Sequence, residues 1–259
     1  MAVNGTLDTE QRREAMSAAL GRDGTLLVNA AATEWGVHPM TIRRDFEHLV
    51  NRGIARRVRG GIIALTGDSF MHRRHLNATA KDAIAHKLVG LVEPGSVIAL
   101  DSSTTISVFA ERLAAAPGAA EGQDLTVITN GLPAFQSLRT RAHASVFLTG
   151  GEQEPQNDSL VGPLAEAALS HFMIGTAFVS TLSLDQQLGA SENTLAQVSF
   201  KRTLAGAANR LVLALDSTKL ETQARFRSLE LGDIDVLVTE LHPADPRLDV
   251  YRDLITEIY

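Results

Sequence analysis

The spacing of apolar residues changes along the chain, and each pattern predicts a different architecture. Near the amino terminus, Ile42, Phe46 and Leu49 recur at intervals of three or four residues, which places them on one face of a helix. Beyond residue 96, short apolar runs alternate with longer amphipathic segments. Alternating strands and helices imply a mainly parallel sheet covered by helices on both faces. The predicted fold class is therefore α/β, with a small helical module in front of the sheet domain.

The amino-terminal segment has the pattern of a winged helix-turn-helix. Three helices are expected at about 9–20, 28–35 and 39–51, and Gly36 ends the second of them. A short helix, a tight glycine turn and a longer helix form the helix-turn-helix unit. Residues 54–63 follow as a basic hairpin with two glycines at its tip, which is typical of a wing.

The third helix has the features of a DNA recognition helix. Its exposed first turns carry Thr41, Arg43 and Arg44, and an Arg side chain can read guanine O6 and N7 or clamp a phosphate. The Arg side chains of the hairpin are expected on phosphate or in the minor groove. The competing interpretations are a solvated Arg pair on an ordinary amphipathic helix and a solubilising edge hairpin. The candidate DNA-binding residues are His38, Met40, Thr41, Arg43, Arg44, Arg56, Arg57 and Arg59.

The charge distribution favours DNA contact by this module alone. The 259-residue chain has a net charge of −6, which argues against a protein devoted wholly to nucleic acid. Residues 1–61 hold nine Arg against seven Asp and Glu, so they carry +2 while the remainder carries −8. Cysteine is absent and the amino-terminal segment has no apolar core of the signal-peptide type, so we expect a cytoplasmic protein. No apolar run approaches the length of a membrane span, so no membrane partner is expected.

A candidate ligand site follows the first strand of the α/β domain. Strand 97–100 ends in Asp101-Ser102-Ser103-Thr104-Thr105, which opens a helix. Hydroxyl groups and free backbone N–H groups at a helix N-terminus form a phosphate cradle, and the helix dipole favours the anion. Polar turns also follow later strands, at Thr129-Asn130-Gly131, at Gly150-Gly151 and at Asp216–Lys219. Since ligands bind beyond the carboxyl ends of such strands, these turns are expected to converge on one pocket.

Two segments next to this domain carry further polar side chains. Arg73, Asn77 and Lys81 stand four residues apart, which predicts one face of a helix running to about Val92. Residues 152–158 are polar, and a solvated loop or a lid over the pocket is expected there.

These motifs resemble those of the DeoR family of bacterial transcription regulators. The amino-terminal match includes Thr41-Ile42-Arg43-Arg44-Asp45 and Gly60-Gly61, and the carboxyl-terminal match includes Asp101-Ser102-x-Thr104-Thr105 and Asp216-Ser217-x-Lys219. The resemblance implies a sequence-specific DNA-binding regulator, a repressor of carbohydrate metabolism genes that a phosphorylated sugar releases. It also implies a sensor domain related in fold to ribose-5-phosphate isomerase and the CoA-transferases.

The resemblance also assigns the effector site. Ser102 to Thr105 would hold the phosphate, and Asp101, Asn130, Asp216 and Lys219 would hold the sugar or the phosphate. The full candidate set is Arg73, Lys81, Asp101, Ser102, Ser103, Thr104, Thr105, Thr129, Asn130, Gly150, Gly151, Asp216 and Lys219.

The chain departs from the family pattern at several places, among them Ala31, where the family usually has Leu. Ser103 replaces a glycine in the phosphate turn, and residues 180–185 lack the glycines usually found after the fourth strand. His38 replaces a serine, and we expect it to be a poorer N-cap for the third helix.

The predicted domains are 1–64 for DNA binding, 65–76 as a linker and 77–259 for effector binding. A homo-oligomer, either a dimer or a tetramer, is expected because helix-turn-helix proteins read paired half-sites.

Two alternatives to this function stay open: an isomerase-like enzyme with a fused DNA-binding module, and a regulator with an altered pocket. No Glu stands in the matched turns to act as a base, so we expect binding without catalysis. Two His three residues apart, His72 and His75, are a weak metal signal because no carboxylate or Cys ligand was noted close to them in sequence, so no metal is expected. No cofactor is expected either.

Overall fold

The computed structural model describes residues 9–52, 54–64, 70–116 and 124–259. The chain forms two compact units, one ending at Leu76 and one running from Asn77 to Tyr259.

The first unit is a winged helix-turn-helix, as predicted. The second and third helices are joined by Gly36, which takes a left-handed φ of 63° that favours glycine. A first strand, which the sequence analysis did not predict, joins the wing in an antiparallel sheet of order β1-β3-β2. The elements are α1 (Thr9–Asp23), β1 (Thr25–Leu27), α2 (Val28–Glu34), α3 (Pro39–Asn51), β2 (Ala55–Val58), β3 (Gly61–Ala64) and α4 (Phe70–His75).

A small apolar core fixes α3 in this unit. Ile42, Phe46 and Leu49 are buried on its inner face, where they pack with Leu20 of α1 and Ile62 of the wing. Each fully buried side chain of this size contributes roughly 1.5–3 kcal/mol. The outer face of α3 is thereby left to solvent.

The second unit is built on a seven-stranded sheet in which every pairing is parallel. The strand order is β15-β14-β12-β9-β4-β5-β6. These strands are β4 (Val97–Leu100), β5 (Leu125–Thr129), β6 (Ala144–Leu148), β9 (Ile174–Val179), β12 (Ala208–Ala214), β14 (Val236–Val238) and β15 (Glu257–Ile258).

Helices cover both faces of this sheet, which confirms the α/β prediction. Alternate residues of one strand enter different cores: Ala177 and Val179 of β9 face one, and Phe178 faces the other. The helices are α5 (Ala78–Val89), α6 (Thr104–Ala115), α7 (Leu132–Leu138), α8 (Pro163–Leu169) and α9 (Leu195–Ala207). The core that contains Ala177 also contains residues of α8 and α9, and the core that contains Phe178 also contains residues of α5, α6 and α7.

Short antiparallel elements beside the sheet were not predicted. A hairpin of β7 (Glu152–Glu154) and β8 (Ser159–Val161) occupies the segment that was expected to be a solvated loop or a lid. A small sheet of order β10-β11-β13 consists of β10 (Ser183–Asp185), β11 (Gly189–Glu192) and β13 (Phe226–Leu229).

The predicted continuous helix from Arg73 to Val92 is wrong. Its first part is α4, and Asn77 then takes a left-handed conformation (φ 53°, ψ 38°) before α5 begins at Ala78. This break separates Arg73 and Lys81, which therefore do not share one helical face. The predicted linker also contains α4, while its residues 65–69 lie outside the described part of the chain.

None of the described helices combines the length and the apolar character needed to cross a bilayer.

Candidate functional site

The amino-terminal end of α3 presents the predicted DNA-binding side chains to solvent. His38, Met40, Arg43 and Arg44 are exposed there, and Thr41 is half-buried. Arg43 Nη1 lies 3.5 Å from the sulfur of Met40. Arg56, Arg57 and Arg59 of the wing are also exposed, and Arg57 lies 3.3 Å from Glu47 of α3.

His38 caps α3 with its side chain. Its backbone is extended (φ −64°, ψ 143°), and its Nδ1 accepts a hydrogen bond from the Met40 N–H at 3.2 Å. A ring nitrogen here replaces the hydroxyl of Ser or Thr as the acceptor for a free N–H of the first turn. Pro39 follows at the first helical position, where its missing N–H leaves nothing unsatisfied.

A buried ion pair that sequence reasoning missed anchors α3 to α1. Asp45, which is 1% exposed, lies 2.7 Å from Arg12 Nε and 3.0 Å from Arg13 Nε. Asp45 is one of the seven acidic residues among the first 61, and its carboxylate points into the module. Two Arg on α1 therefore fix the orientation of the helix that carries Arg43 and Arg44.

The tip of the wing depends on its two glycines. Gly60 has a φ of 84°, which favours glycine. A Cβ on Gly61 would lie 2.1 Å from the carbonyl oxygen of Leu26, so only glycine fits against β1.

In the second unit, Asp101 organises the end of β4. One carboxylate oxygen accepts the Ser103 N–H at 2.9 Å, and the other accepts the Ser180 N–H at 3.0 Å. The second oxygen also lies 3.0 Å from Lys201 Nζ. Asp101 is fully buried, so it joins the ends of β4 and β9 and positions the turn that follows.

Lys201, on α9, is the main residue of the site that sequence reasoning missed. Its ammonium group lies 3.0 Å from Asp101, 3.3 Å from Glu192 and 3.2 Å from the side-chain oxygen of Gln197, so each of its three N–H donors has an acceptor. The available signal was its position: a Lys between Val198 and Leu204 on the buried face of an amphipathic helix.

The charges of Asp101, Lys201 and Glu192 depend on each other. Burial disfavours the ammonium form of Lys201, but attraction to Asp101 and Glu192 outweighs burial and raises its pKa. Burial raises the pKa of Glu192, against the attraction of Lys201. Lys201 therefore stays protonated at neutral pH and compensates Asp101.

The turn at residues 101–105 opens α6. Ser103 is the N-cap, and its hydroxyl accepts the Ile106 N–H at 3.3 Å, so the serine that replaces the family's glycine stabilises the helix. The N–H groups of Thr104 and Thr105 lie in the first turn and have no acceptor within the helix. The buried Thr105 hydroxyl also has no hydrogen-bond partner within the described structure.

Neighbouring strands bring further predicted residues to this edge. Asn130, after β5, donates from Nδ2 to Leu160 O at 2.9 Å, while its buried Oδ1 has no hydrogen-bond partner in the described residues. The hydroxyl of Thr129 accepts the Gly131 N–H at 3.0 Å. Buried polar atoms are normally hydrogen-bonded, so an unpaired atom at such a place is consistent with a polar ligand.

The turn after β12 contributes an ammonium group. Lys219 Nζ donates to Thr181 O at 2.9 Å. Burial lowers its pKa, against the attraction of Asp216, Glu192 and Asp101. Thr181 directly follows Ser180, whose N–H binds Asp101, so the turns that carry Asp101 and Lys219 meet at the end of β9.

Four predicted effector residues remain to be placed. Arg73 lies on α4, in the first unit. Lys81 is buried in the first turns of α5. Gly151 adopts a φ of 118°, and a Cβ there would lie 2.5 Å from Val161 O, so it is required for packing against β8. Gly150, beside it, has a φ of 77°.

A polar network fastens the β7–β8 hairpin over this edge. Glu154 accepts hydrogen bonds from Asn157, Ser159, Thr194 and Gln197. The side chain of Gln197 also lies 3.4–3.5 Å from Ser102 Oγ. The hairpin is therefore connected to both α9 and the turn at residues 101–105. No group of three or more metal-ligating side chains occurs among the residues that the structure describes.

Family models match both units of the chain. A DeoR-like helix-turn-helix domain matches residues 12–67, and a DeoR C-terminal sensor domain matches residues 76–241. The chain belongs to the DeoR family. The resemblance noted from the motifs is thereby confirmed, and the protein is a transcription regulator with a DNA-binding domain and a sensor domain.

Two relatives of this DeoR-family regulator align along most of its length. The L-fucose operon activator of Haemophilus influenzae is 29% identical over 233 residues, which cover 88% of this chain and 91% of the relative. The lactose phosphotransferase system repressor of Staphylococcus aureus is 26% identical over 245 residues, which cover 90% of this chain and 93% of the relative. Among solved structures, ribose 5-phosphate isomerase A from Methanocaldococcus jannaschii matches 56% of this chain and 55% of that one, with 17% identity and a TM-score of 0.40.

Proposed function

We propose that this regulator is a repressor of carbohydrate metabolism genes and that a phosphorylated sugar releases it from its operator. The observation that carries the proposal is the amino-terminal end of α6. The N–H groups of Thr104 and Thr105, which have no acceptor within the helix, lie there beside the Thr105 hydroxyl, which has no partner among the described residues. The same edge of the sheet carries Lys219. A dianionic phosphate accepts hydrogen bonds from such groups, and the helix dipole favours it.

The remaining groups at this edge suit the hydroxyls of a sugar. Asn130 Oδ1 is an acceptor and requires a donor, which a hydroxyl supplies and a phosphate dianion does not. The two relatives are named for fucose and for lactose, which are both sugars. A ligand with a phosphate at one end and hydroxyls at the other therefore fits the chemistry of the edge.

On the DNA side, we propose that α3 occupies the major groove and that the wing contacts the backbone. The exposed Arg43 and Arg44 would contact base edges, and Arg56, Arg57 and Arg59 would contact phosphates. The effector changes DNA affinity to the extent that it binds one arrangement of the two domains more tightly than the other.

A fluorescence-anisotropy titration tests this function. The full-length protein is titrated onto the DNA upstream of its own gene at fixed salt, with and without a panel of sugar phosphates and the matching free sugars. We expect one phosphate to weaken binding while its free sugar does not. Tight, specific binding that the whole panel leaves unchanged would favour a regulator with an altered pocket. Tighter binding on addition of a sugar phosphate would contradict the release mechanism.

The second candidate, a sugar-phosphate isomerase with a fused DNA-binding module, is favoured by Glu192. The fold brings this buried carboxyl group to 3.3 Å from Lys201, although it stands outside the turns that match the family motifs. A buried carboxyl group with a raised pKa is a possible proton-transfer group. Turnover of a pentose phosphate by the purified protein at an enzymatic rate, lost in Glu192→Gln, would support this candidate and contradict a pure sensor.

A further inference from the structure

Asn77 occupies the point at which the chain passes from the first unit to the second. It is the N-cap of α5, and its carbonyl oxygen accepts the Lys81 N–H at 3.0 Å. Its side chain does not cap the helix, as an Asn at this position usually does. The backbone is left-handed, a conformation that Asn tolerates better than most residues.

The side chain of Asn77 reaches instead to the turn after β12. Its Nδ2 donates to Asp216 Oδ1 at 2.9 Å and lies 3.1 Å from Thr218 Oγ1. Asp216 Oδ1 also accepts the Thr218 hydroxyl, so the three side chains form one closed set. Asn77, the first residue of the sensor domain, is thus joined to Asp216, which lies 139 positions further along the sequence.

We propose that Asn77 is the positioning residue that couples the effector turn, Asp216 to Lys219, to the DNA-binding unit. The inference rests on the proposed function, since it takes this turn as part of the effector site. A ligand that hydrogen-bonds Asp216 or Thr218 changes the acceptors available to Asn77 Nδ2. The Asn77 side chain is attached to the backbone at the joint between α4 and α5. A change in the hydrogen bonds among Asn77, Asp216 and Thr218 therefore acts directly on the segment that leads to the DNA-binding unit.

The test compares full-length variants on a DNA duplex that the wild-type protein selects from a random library. Asn77→Gly retains the freedom to adopt the left-handed backbone and removes the amide. Asn77→Asp keeps the size of the side chain, cannot donate, and adds a negative charge beside Asp216. His143→Gly is the matched control, because His143 also has a left-handed φ, of 54°, and lies on the connection between β5 and β6.

Without any effector, we expect both Asn77 variants to differ from the wild type in DNA affinity by roughly five-fold or more, the lower end of typical coupling. The DNA affinity of the variants should shift toward the value that the wild type has with the effector bound. Adding the effector to the variants should then change their DNA affinity much less than it changes that of the wild type. His143→Gly should behave as the wild type does. A purely structural role would lower the unfolding temperature and leave the ratio of DNA affinities with and without effector unchanged.

Wild-type DNA affinity in both Asn77 variants, together with a wild-type response to the effector, would overturn the coupling. Failure of the proposed function would be seen separately, as a wild-type protein that no sugar phosphate releases. In that case the effector-free comparison still decides the coupling: unchanged affinity in the two variants refutes it.

Discussion

At the scale of single residues, Asp45 and Glu47 show how position decides the effect of a carboxylate. Both lie on α3, but Asp45 is buried against Arg12 and Glu47 is exposed beside Arg57. Removing one partner of a buried pair leaves an uncompensated charge in the core, whereas an exposed pair contributes little.

Asp45→Asn is therefore expected to lower the unfolding free energy of the first unit by about 3–5 kcal/mol. Glu47→Gln is the matched control and should lower it by less than about 1 kcal/mol. Urea unfolding followed by the fluorescence of Trp35 measures the difference, since this is the chain's single tryptophan and lies in the first unit. Equal effects of the two substitutions would show that the Arg12–Asp45 pair does not anchor α3.

Arg43 is exposed at the amino-terminal end of α3, where a recognition helix contacts base edges. Arg43→Ala is expected to weaken specific DNA binding by about 1–3 kcal/mol, because a base contact is lost. Arg139→Ala, an exposed Arg of the second unit, is the control and should bind as the wild type does. Anisotropy titrations at one salt concentration compare the two. Unchanged binding in Arg43→Ala would remove Arg43 from the interface.

At the scale of elements, the β7–β8 hairpin depends on one carboxylate. Burial alone would raise the pKa of Glu154, but hydrogen bonds from Asn157, Gln197, Thr194 and Ser159 outweigh burial and lower it. A carboxyl group whose pKa is lower in the folded state contributes stability above its unfolded pKa, here about 4.5, and loses it as the pH falls through the folded pKa.

Glu154→Gln is accordingly expected to lower the unfolding free energy by on the order of 1 kcal/mol at pH 7, a modest figure because the group is partly exposed. The difference from the wild type should shrink below a pH of about 4.5. Urea unfolding by circular dichroism at pH 7, 5.5, 4 and 3 follows it. Glu152→Gln, on the same hairpin but exposed, is the control. A difference that is independent of pH would mean that the Glu154 charge has no part in holding the hairpin.

The regular elements could be predicted because their signals are local. The apolar run at Val97–Leu100 is a strand, as predicted, and the spacing of Ile42, Phe46 and Leu49 correctly gave the buried face of α3. The hairpin at 152–161 was not predicted because each strand has only three residues, the first strand is polar, and the hairpin is held by side chains distant in sequence, such as Gln197. A polar stretch of that kind has the composition of a loop.

The site could be predicted only in part, for a similar reason. Asp101 and Lys219 were predicted because they lie in turns that follow strands, where ligands bind in parallel sheets. Lys201 and Glu192 stand on α9 and β11, and only the tertiary fold brings their side chains to Asp101. The helix break at Asn77 was equally hidden, since its left-handed backbone is accompanied by hydrogen bonds to a turn far along the chain.

At the scale of the whole molecule, one chain supplies one winged helix-turn-helix unit. A single small module contacts one half-site, and such proteins gain affinity by presenting two modules to half-sites about one helical turn apart. We therefore expect a homo-oligomer in solution and an operator with two related half-sites. Analytical ultracentrifugation gives the mass of the free protein, and footprinting gives the extent of DNA that it covers.

The spacing of the half-sites provides the sharper test of this arrangement. Inserting about five base pairs between them turns one half-site by roughly half a helical turn, so two modules held in one assembly no longer face both at once. Affinity for that duplex should fall toward that of a single half-site. Inserting about ten base pairs restores the rotational phase and should recover part of the affinity, limited by the reach between the modules. A monomeric protein that binds all three duplexes equally would contradict recognition by paired modules, because each half-site would then be occupied independently.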